Sequence, residues 1–226
     1  MCFFSPLKRV ILNKPILLHA SDCTSCECVP VDYVNTTKYL GIYFDSDLSW
    51  NSHLFYIMKK LRAASCTLYN IRTFIPMSTR RLIVHALVYS VIRYGITLFG
   101  QCTNLLETKV NSLLKGILRS VAYGSNIQTS DNIFDDLSLP SFRALFMHTV
   151  ILRHYWDNTF KVPNVVCREL RKVAPYATPR ISTHLGTHIR SYYVPNTFNK
   201  LPPVLSDITS RGKIKRKLKT MCSSIG

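Results

Sequence analysis

Residues 39–50 read Tyr-Leu-Gly-Ile-Tyr-Phe-Asp-Ser-Asp-Leu-Ser-Trp, so Asp45 and Asp47 stand one residue apart. Two carboxylates at i and i+2 on a strand point to the same face. Converging carboxylates hold pairs of metal ions about 4 Å apart in phosphoryl transfer. The same residues have a second chemistry. Asp, Ser and Asn form turns and N-caps, because their short polar side chains bond to nearby backbone groups. Asp47-Leu-Ser-Trp-Asn lies where a strand-like pattern gives way to a helix-like one, and turn and cap duty is the stronger reading. No catalytic residue is assigned.

Cys23, Cys26 and Cys28 form Cys-Thr-Ser-Cys-Glu-Cys, with His19 nearby. Two thiols at C-x-x-C spacing reach one zinc ion, and His19 would be a further ligand. A strong zinc signal has a second, separated pair, and none is present. A polar loop that carries thiols is the simpler account, and these cysteines are weak metal candidates. His53, His85, His148, His154, His184 and His188 have no triad-like context. The chain contains no Gly-x-Ser-x-Gly, P-loop or dinucleotide fingerprint.

Charge points more firmly. The chain of 226 residues carries a net charge of +17. Residues 1–50 hold four Lys/Arg against five Asp/Glu, and residues 51–226 hold 25 against seven. So lopsided a surface repels itself until an acidic partner relieves it. Nucleic acid is the commonest such partner, since Lys and Arg displace its condensed counterions. The eight cysteines are scattered, and no secretory signal precedes them. An intracellular protein with free thiols is expected, nuclear or cytoplasmic and not secreted. Leu82 to Phe99 is the longest apolar run. His85 and Arg93 interrupt it, so it reads as a buried amphipathic helix and no membrane span is expected.

The elements that must position these groups change character near Trp50. Residues 9–19 suggest strand, turn, strand around Asn-Lys-Pro, and residues 39–44 suggest a third strand. An isolated hairpin of this kind is marginal in water, which hints at missing neighbours. From residue 51 the period becomes 3.6. Leu54, Ile57, Met58, Leu61, Leu68 and Ile71 predict one helix over 51–74. A second is predicted over 79–99, capped by Ser78 after Pro76, with Leu82, Ile83, Ala86, Leu87 and Val91 as its core stripe. A third, about 105–121, comes after Thr103 or Asn104, and a fourth, about 142–157, after Ser141. Short connections predict an antiparallel bundle. Residues 161–226 are proline-containing and aperiodic, and they read as a mostly extended segment leading to a short basic helix; residues 211–219 hold six basic side chains and no acid. The expected fold class is mainly α: a short N-terminal β-hairpin, a bundle of about four helices and an irregular basic C-terminal tail.

The order of these pieces resembles a known family. "TTKYLGIYFDSDLSWNSHLFYIMKKLRAA" (36–64) looks like the palm-to-thumb junction of reverse transcriptases from non-LTR retrotransposons, in particular the jockey-like group. The match runs through Lys38, Tyr39, Leu40, Gly41, Asp45, Leu48, Trp50 and His53. "FIPMSTRRLIVHALVYSVIRYGITLFG" (74–100), "LLKGILRSVAYG" (113–124), "HIRSYYVPNTFNKLPPVLSDITS" (188–210) and "KIKRKLK" (213–219) continue it. Phe198 and Ile214 stand where the family usually has Trp and Phe. No single piece is a strict motif; the strength lies in five weak signals in order.

The resemblance implies residues 1–50 as the end of a palm with a primer-grip-like hairpin, 51–160 as a helical thumb and 161–226 as a basic tail. It implies Leu40 and Gly41 at the primer grip, where a residue without Cβ lets another backbone approach. Lys59, Lys60, Arg62, Arg72, Arg80 and Arg81, with Lys213, Lys215, Arg216 and Lys217 of the tail, would contact phosphates, which position nucleic acid without reading sequence. The partners would be an RNA/DNA primer–template and the palm and fingers of the parent polypeptide. The parent would be an RNA-directed DNA polymerase using magnesium. Its aromatic-x-Asp-Asp turn cannot be placed here, and "CFFS" (2–5) looks like the strand after it, so this chain alone is expected to bind no cofactor and to be inactive. Tyr192, Tyr193 and Phe198 would stack on bases or pack on the bundle. The tail would bind phosphate or act as a nuclear import signal. A stand-alone basic helical nucleic-acid-binding protein and a zinc-dependent module are the other readings.

Overall fold

A computed structural model describes residue 17 and residues 30–164, 174–201, 212–214 and 216. The chain divides into two compact units, Met1–Phe55 and Tyr56–Gly226. The fold is mainly helical with one small antiparallel sheet, as the sequence pattern predicts.

In the first unit β1 (Thr36–Tyr39) pairs with β2 (Ile42–Asp45), with Thr36 opposite Asp45 and Tyr39 opposite Ile42. Leu40 and Gly41 form the connection, with φ of 46° and 79°. Two left-handed residues make the turn whose twist matches a hairpin. Residues 39–44 are therefore not one strand, as the sequence pattern suggests, but a reversal leading into a strand. The apolar Leu40 disguises the turn, since it adopts a backbone that glycine or asparagine favours. The strand pair expected over 9–19 falls outside the described residues, apart from Leu17, which bridges to Pro30.

The chain then enters α1 (Asn51–Ile71) through a turn in which Leu48 and Trp50 also have positive φ, 53° and 63°. Such backbone persists only where its surroundings over-determine it. Asp45 does most of this. Its carboxylate, on a residue 7% exposed, accepts from Ser49 Oγ at 3.2 Å, the Ser52 backbone N–H at 3.1 Å and Thr36 Oγ1 at 3.3 Å. Asp47 accepts from the Ser49 N–H at 3.0 Å. Trp50 is buried, its ring centroid 5.6 Å from that of Phe44, and His53 Nδ1 accepts from the Tyr43 N–H at 3.4 Å. The first turn of α1 has no acidic residue of its own. Asp45 supplies the negative charge that a helix N-terminus favours.

In the second unit Ile57, Met58, Leu61 and Leu68 of α1 are buried at helical spacing. The next helix departs from expectation in start, length and face. α2 (Met77–Val84) begins after Pro76 and continues through a π-helical turn, His85–Tyr89, into α3 (Ser90–Arg93). Gly95, at φ 72°, then breaks the run before α4 (Ile96–Phe99). The buried residues are Arg80, Val84, Val88, Tyr89 and Ile92, whereas Leu82 is 68% exposed and Ala86 and Leu87 also face solvent. Of the predicted core stripe, Leu82, Ala86 and Leu87 are thus on the outer face, and Ile83 and Val91 are half-buried. The wide turn rotates the helix beyond it, and Tyr89 uses the new register to donate its hydroxyl to Pro140 O at 2.9 Å.

The long helix α5 (Asn104–Val121) buries Leu106, Val110, Leu114, Ile117, Leu118 and Val121, as its period predicts. Short α6 (Ile133–Asp136) leads to α7 (Phe142–His154), whose Ala144 N–H is accepted by the Ser141 hydroxyl at 3.2 Å. α7 packs on α3, α4, α5 and α8 (Arg190–Asn199). Gly100 lets α4 approach α7, since a Cβ there would lie 2.1 Å from the Phe146 ring. α8 itself corrects the sequence reading, which expects this stretch to be extended. Pro195 lies inside it, yet Tyr193, Val194 and Phe198 anchor it in the core, with the Tyr193 ring edge-on to Phe146 at 5.8 Å. Among the described residues no helix is long and apolar enough to cross a membrane.

Asp45→Ala should lower the stability of the first unit by about 1–2 kcal/mol, the usual cost of losing a helix cap. Asp45→Asn, which keeps an acceptor, should lose less. Urea titration monitored by Trp50 fluorescence in a Trp156→Phe background checks this; equal midpoints for Asp45→Ala and its parent would contradict it.

Candidate nucleic-acid interface

The apolar stripe of α1 fixes where its cations go. With Ile57, Met58, Leu61 and Leu68 turned inward, Lys59, Lys60 and Arg62 are exposed. α1 contains no acidic residue to neutralise them. The Lys60 ammonium rides 4.6 Å from the Tyr56 ring centroid, which orders its stem without hiding its charge.

The next three arginines expected at this face have other partners. The Arg72 guanidinium lies 3.3 Å from the Tyr69 ring centroid and 4.8 Å from that of Tyr123, and donates to Tyr69 O. Arg80 is 7% exposed, and its Nη1 donates to Ser120 O and Tyr123 O, both at 3.2 Å. Those carbonyls end α5, where unsatisfied acceptors and the helix dipole favour a cation. Arg81 is half-buried and donates through Nη2 to Leu137 O, the residue closing α6. Arg80 is therefore a helix-capping residue inside the bundle and is not open to a phosphate. Arg81 is largely committed in the same way. Their charge drew them into the expected site, although arginine buries its stem readily when carbonyls receive its N–H groups.

α5 supplies cations that the sequence reading overlooks. Lys109, Lys115 and Arg119 are exposed along its outer side. Glu107, the one acid in the helix, faces elsewhere, paired with Arg143 at 2.8 Å, which also donates to Gln101 at 3.1 Å. The same 3.6-residue arithmetic that found the core of α5 also gives this outer face. Ser112 and Gly116 lie between the cations, and a Cβ at Gly116 would meet nothing within 4 Å.

Leu40 is 71% exposed at the hairpin tip, beside half-buried Gly41. In the tail Lys213 and Arg216 are exposed around buried Ile214, while Lys215 and Lys217 lie outside the described residues. Tyr193 and Phe198 belong to the core and do not offer their rings to bases. Phe198 instead faces the Lys161 ammonium at 4.9 Å, and burial lowers the pKa of that amine. Asp157 closes the end of α7. Its hydrogen bonds from Thr159, and then from His154 at 3.2 Å, lower its pKa from 3.8 to about 2.

Cys23, Cys26 and Cys28 with His19 lie outside the described residues. Among those described, no group of three or more His, Cys, Asp or Glu is placed to hold a metal ion. Asp45 and Asp47 in particular are committed to the turn before α1, and so do not fit a magnesium pair. Cys66 and Cys102 are free thiols; burial, then the Glu107 charge, pushes Cys102 up to about 12, which keeps it protonated. No protein-family model, curated protein or solved structure matches the chain.

Removing the Arg80 cap should be costly, because it strands two carbonyls. Arg80→Ala should lower the unfolding free energy by about 2–3 kcal/mol, the scale of hydrogen bonds to a charged group. Thermal and urea denaturation measure it. A loss within about 0.5 kcal/mol, typical of a surface site, would mean that Arg80 is not the cap described.

Proposed function

We propose that this chain is the nucleic-acid-binding end of a non-LTR retrotransposon reverse transcriptase of the jockey-like group: the last palm strands, a helical thumb and a basic tail. The observation that carries the reading is the junction at 36–64. There a Leu-Gly hairpin tip leads through an aspartate-held turn into a helix that exposes Lys59, Lys60 and Arg62 and has no acid. The sequence resemblance supports it along nearly the whole chain.

The action available to these residues is binding. Ammonium and guanidinium groups on a rigid helix meet phosphates of a primer–template and release condensed counterions, giving affinity without sequence preference. Leu40 and Gly41, at the exposed tip of a two-residue turn, would steady a primer end. Arg80 and Arg81 act at one remove, by holding helix ends. The magnesium chemistry of the intact polymerase belongs to carboxylates elsewhere in the parent, since Asp45 and Asp47 are already committed.

Binding of the 226-residue chain to an RNA/DNA hybrid, measured by fluorescence anisotropy at several salt concentrations, should show a steep salt dependence. Replacing Lys59, Lys60 and Arg62 together by alanine should weaken binding and flatten the slope of log K against log[salt] by roughly 2–3. An unchanged slope would place the contact elsewhere. In primer-extension assays with magnesium and nucleotides the chain should add nothing; extension abolished by a chelator would overturn that part of the reading.

A further inference from the structure

The ends of α1 and α5 carry a feature that phosphate binding does not use. The Arg72 guanidinium lies between two tyrosine rings, 3.3 Å from the centroid of Tyr69 and 4.8 Å from that of Tyr123. Both rings remain open to solvent, with Tyr69 56% and Tyr123 39% exposed. The stack is held from behind. Arg72 donates to Tyr69 O, and buried Arg80 fixes the Tyr123 backbone by donating to its carbonyl at 3.2 Å. Exposed cations precede each ring. Arg62 lies two turns before Tyr69 on α1, and Arg119 is in the last turn of α5, four residues before Tyr123.

Aromatic planes interleaved with cations suit a nucleic acid whose bases are free to stack. In a duplex the base faces already cover one another, and only phosphates remain available. A single strand offers both, and base–aromatic stacking tolerates any sequence because every base has a π-face. The guanidinium between them orders both rings and places a positive charge beside the stacked bases at no further ordering cost. The absence of acid on α1, and the diversion of Glu107 of α5 to Arg143, keep this region favourable to a polyanion.

We infer that the Tyr69–Arg72–Tyr123 stack is a platform for unpaired bases, so that the helical unit holds single-stranded nucleic acid as well as a duplex. This rests on the reading that the unit binds nucleic acid, and the test separates the two. The 226-residue chain is titrated into labelled oligo(dT), oligo(U) and a blunt duplex of equal length. Tyr69→Ala and Tyr123→Ala should each weaken single-strand binding roughly tenfold, the scale of one lost stack, and change duplex binding less than about twofold. Arg72→Lys, which keeps the charge and loses the plane, should act in the same direction, and Tyr69→Phe should bind like the parent. A strand containing 2-aminopurine should be quenched on binding to the unaltered chain. Equal loss on strand and duplex, no loss on either, or an unquenched 2-aminopurine on the bound strand would overturn the platform. Failure of the unaltered chain to bind any of the three would instead remove the underlying function.

Discussion

The guanidinium of Arg80 is the interaction on which the arrangement of the second unit rests. It is buried, and it caps the carbonyls of Ser120 and Tyr123 where α5 ends. A charge in such a place is tolerated because it meets the negative end of a helix dipole and two orphaned acceptors. The consequence is geometric. α2, which carries Arg80, is tied to the end of α5, and Tyr123 is thereby set where its ring meets Arg72 and, through it, Tyr69. A residue that looks like a ligand contact in the sequence thus contributes by placing others.

A parallel economy appears in the first unit. Asp45 and Asp47 have the spacing of metal ligands, yet both carboxylates accept hydrogen bonds that hold a turn with two left-handed non-glycine residues. The turn sets where α1 starts. Farther along, the helical spacing of Ile57, Met58, Leu61 and Leu68 turns Lys59, Lys60 and Arg62 to solvent. The aspartates contribute by shaping the entry into a helix.

Much of this is legible in the sequence where one face is apolar and the other polar. α1 and α5 keep closely to their 3.6-residue periods, and Ser141 caps α7 as expected. Legibility fails where side-chain chemistry and burial disagree. On α2 an arginine is inside and Leu82 outside, and a π-helical turn shifts the register beyond it, so part of the outer face looks like core. At Leu40 an apolar residue sits in a left-handed turn. In α8 a proline and a weak period conceal a helix that gains its stability from packing of Tyr193 and Phe198. The cations of α5 are readable from the same period as its core. The stack of Tyr69, Arg72 and Tyr123 is not, because tertiary contact alone brings Tyr123 to the other two.

If the outer faces of α1 and α5 receive nucleic acid, lysine acetylation footprinting of the whole chain, with and without an RNA/DNA hybrid, shows it most directly. The expected result is protection of Lys59, Lys60, Lys109 and Lys115, with no change at Lys161, whose ammonium is engaged with Tyr155 O and the Phe198 ring. Protection confined to the tail lysines, with Lys59 and Lys60 as reactive as in the free chain, would contradict it.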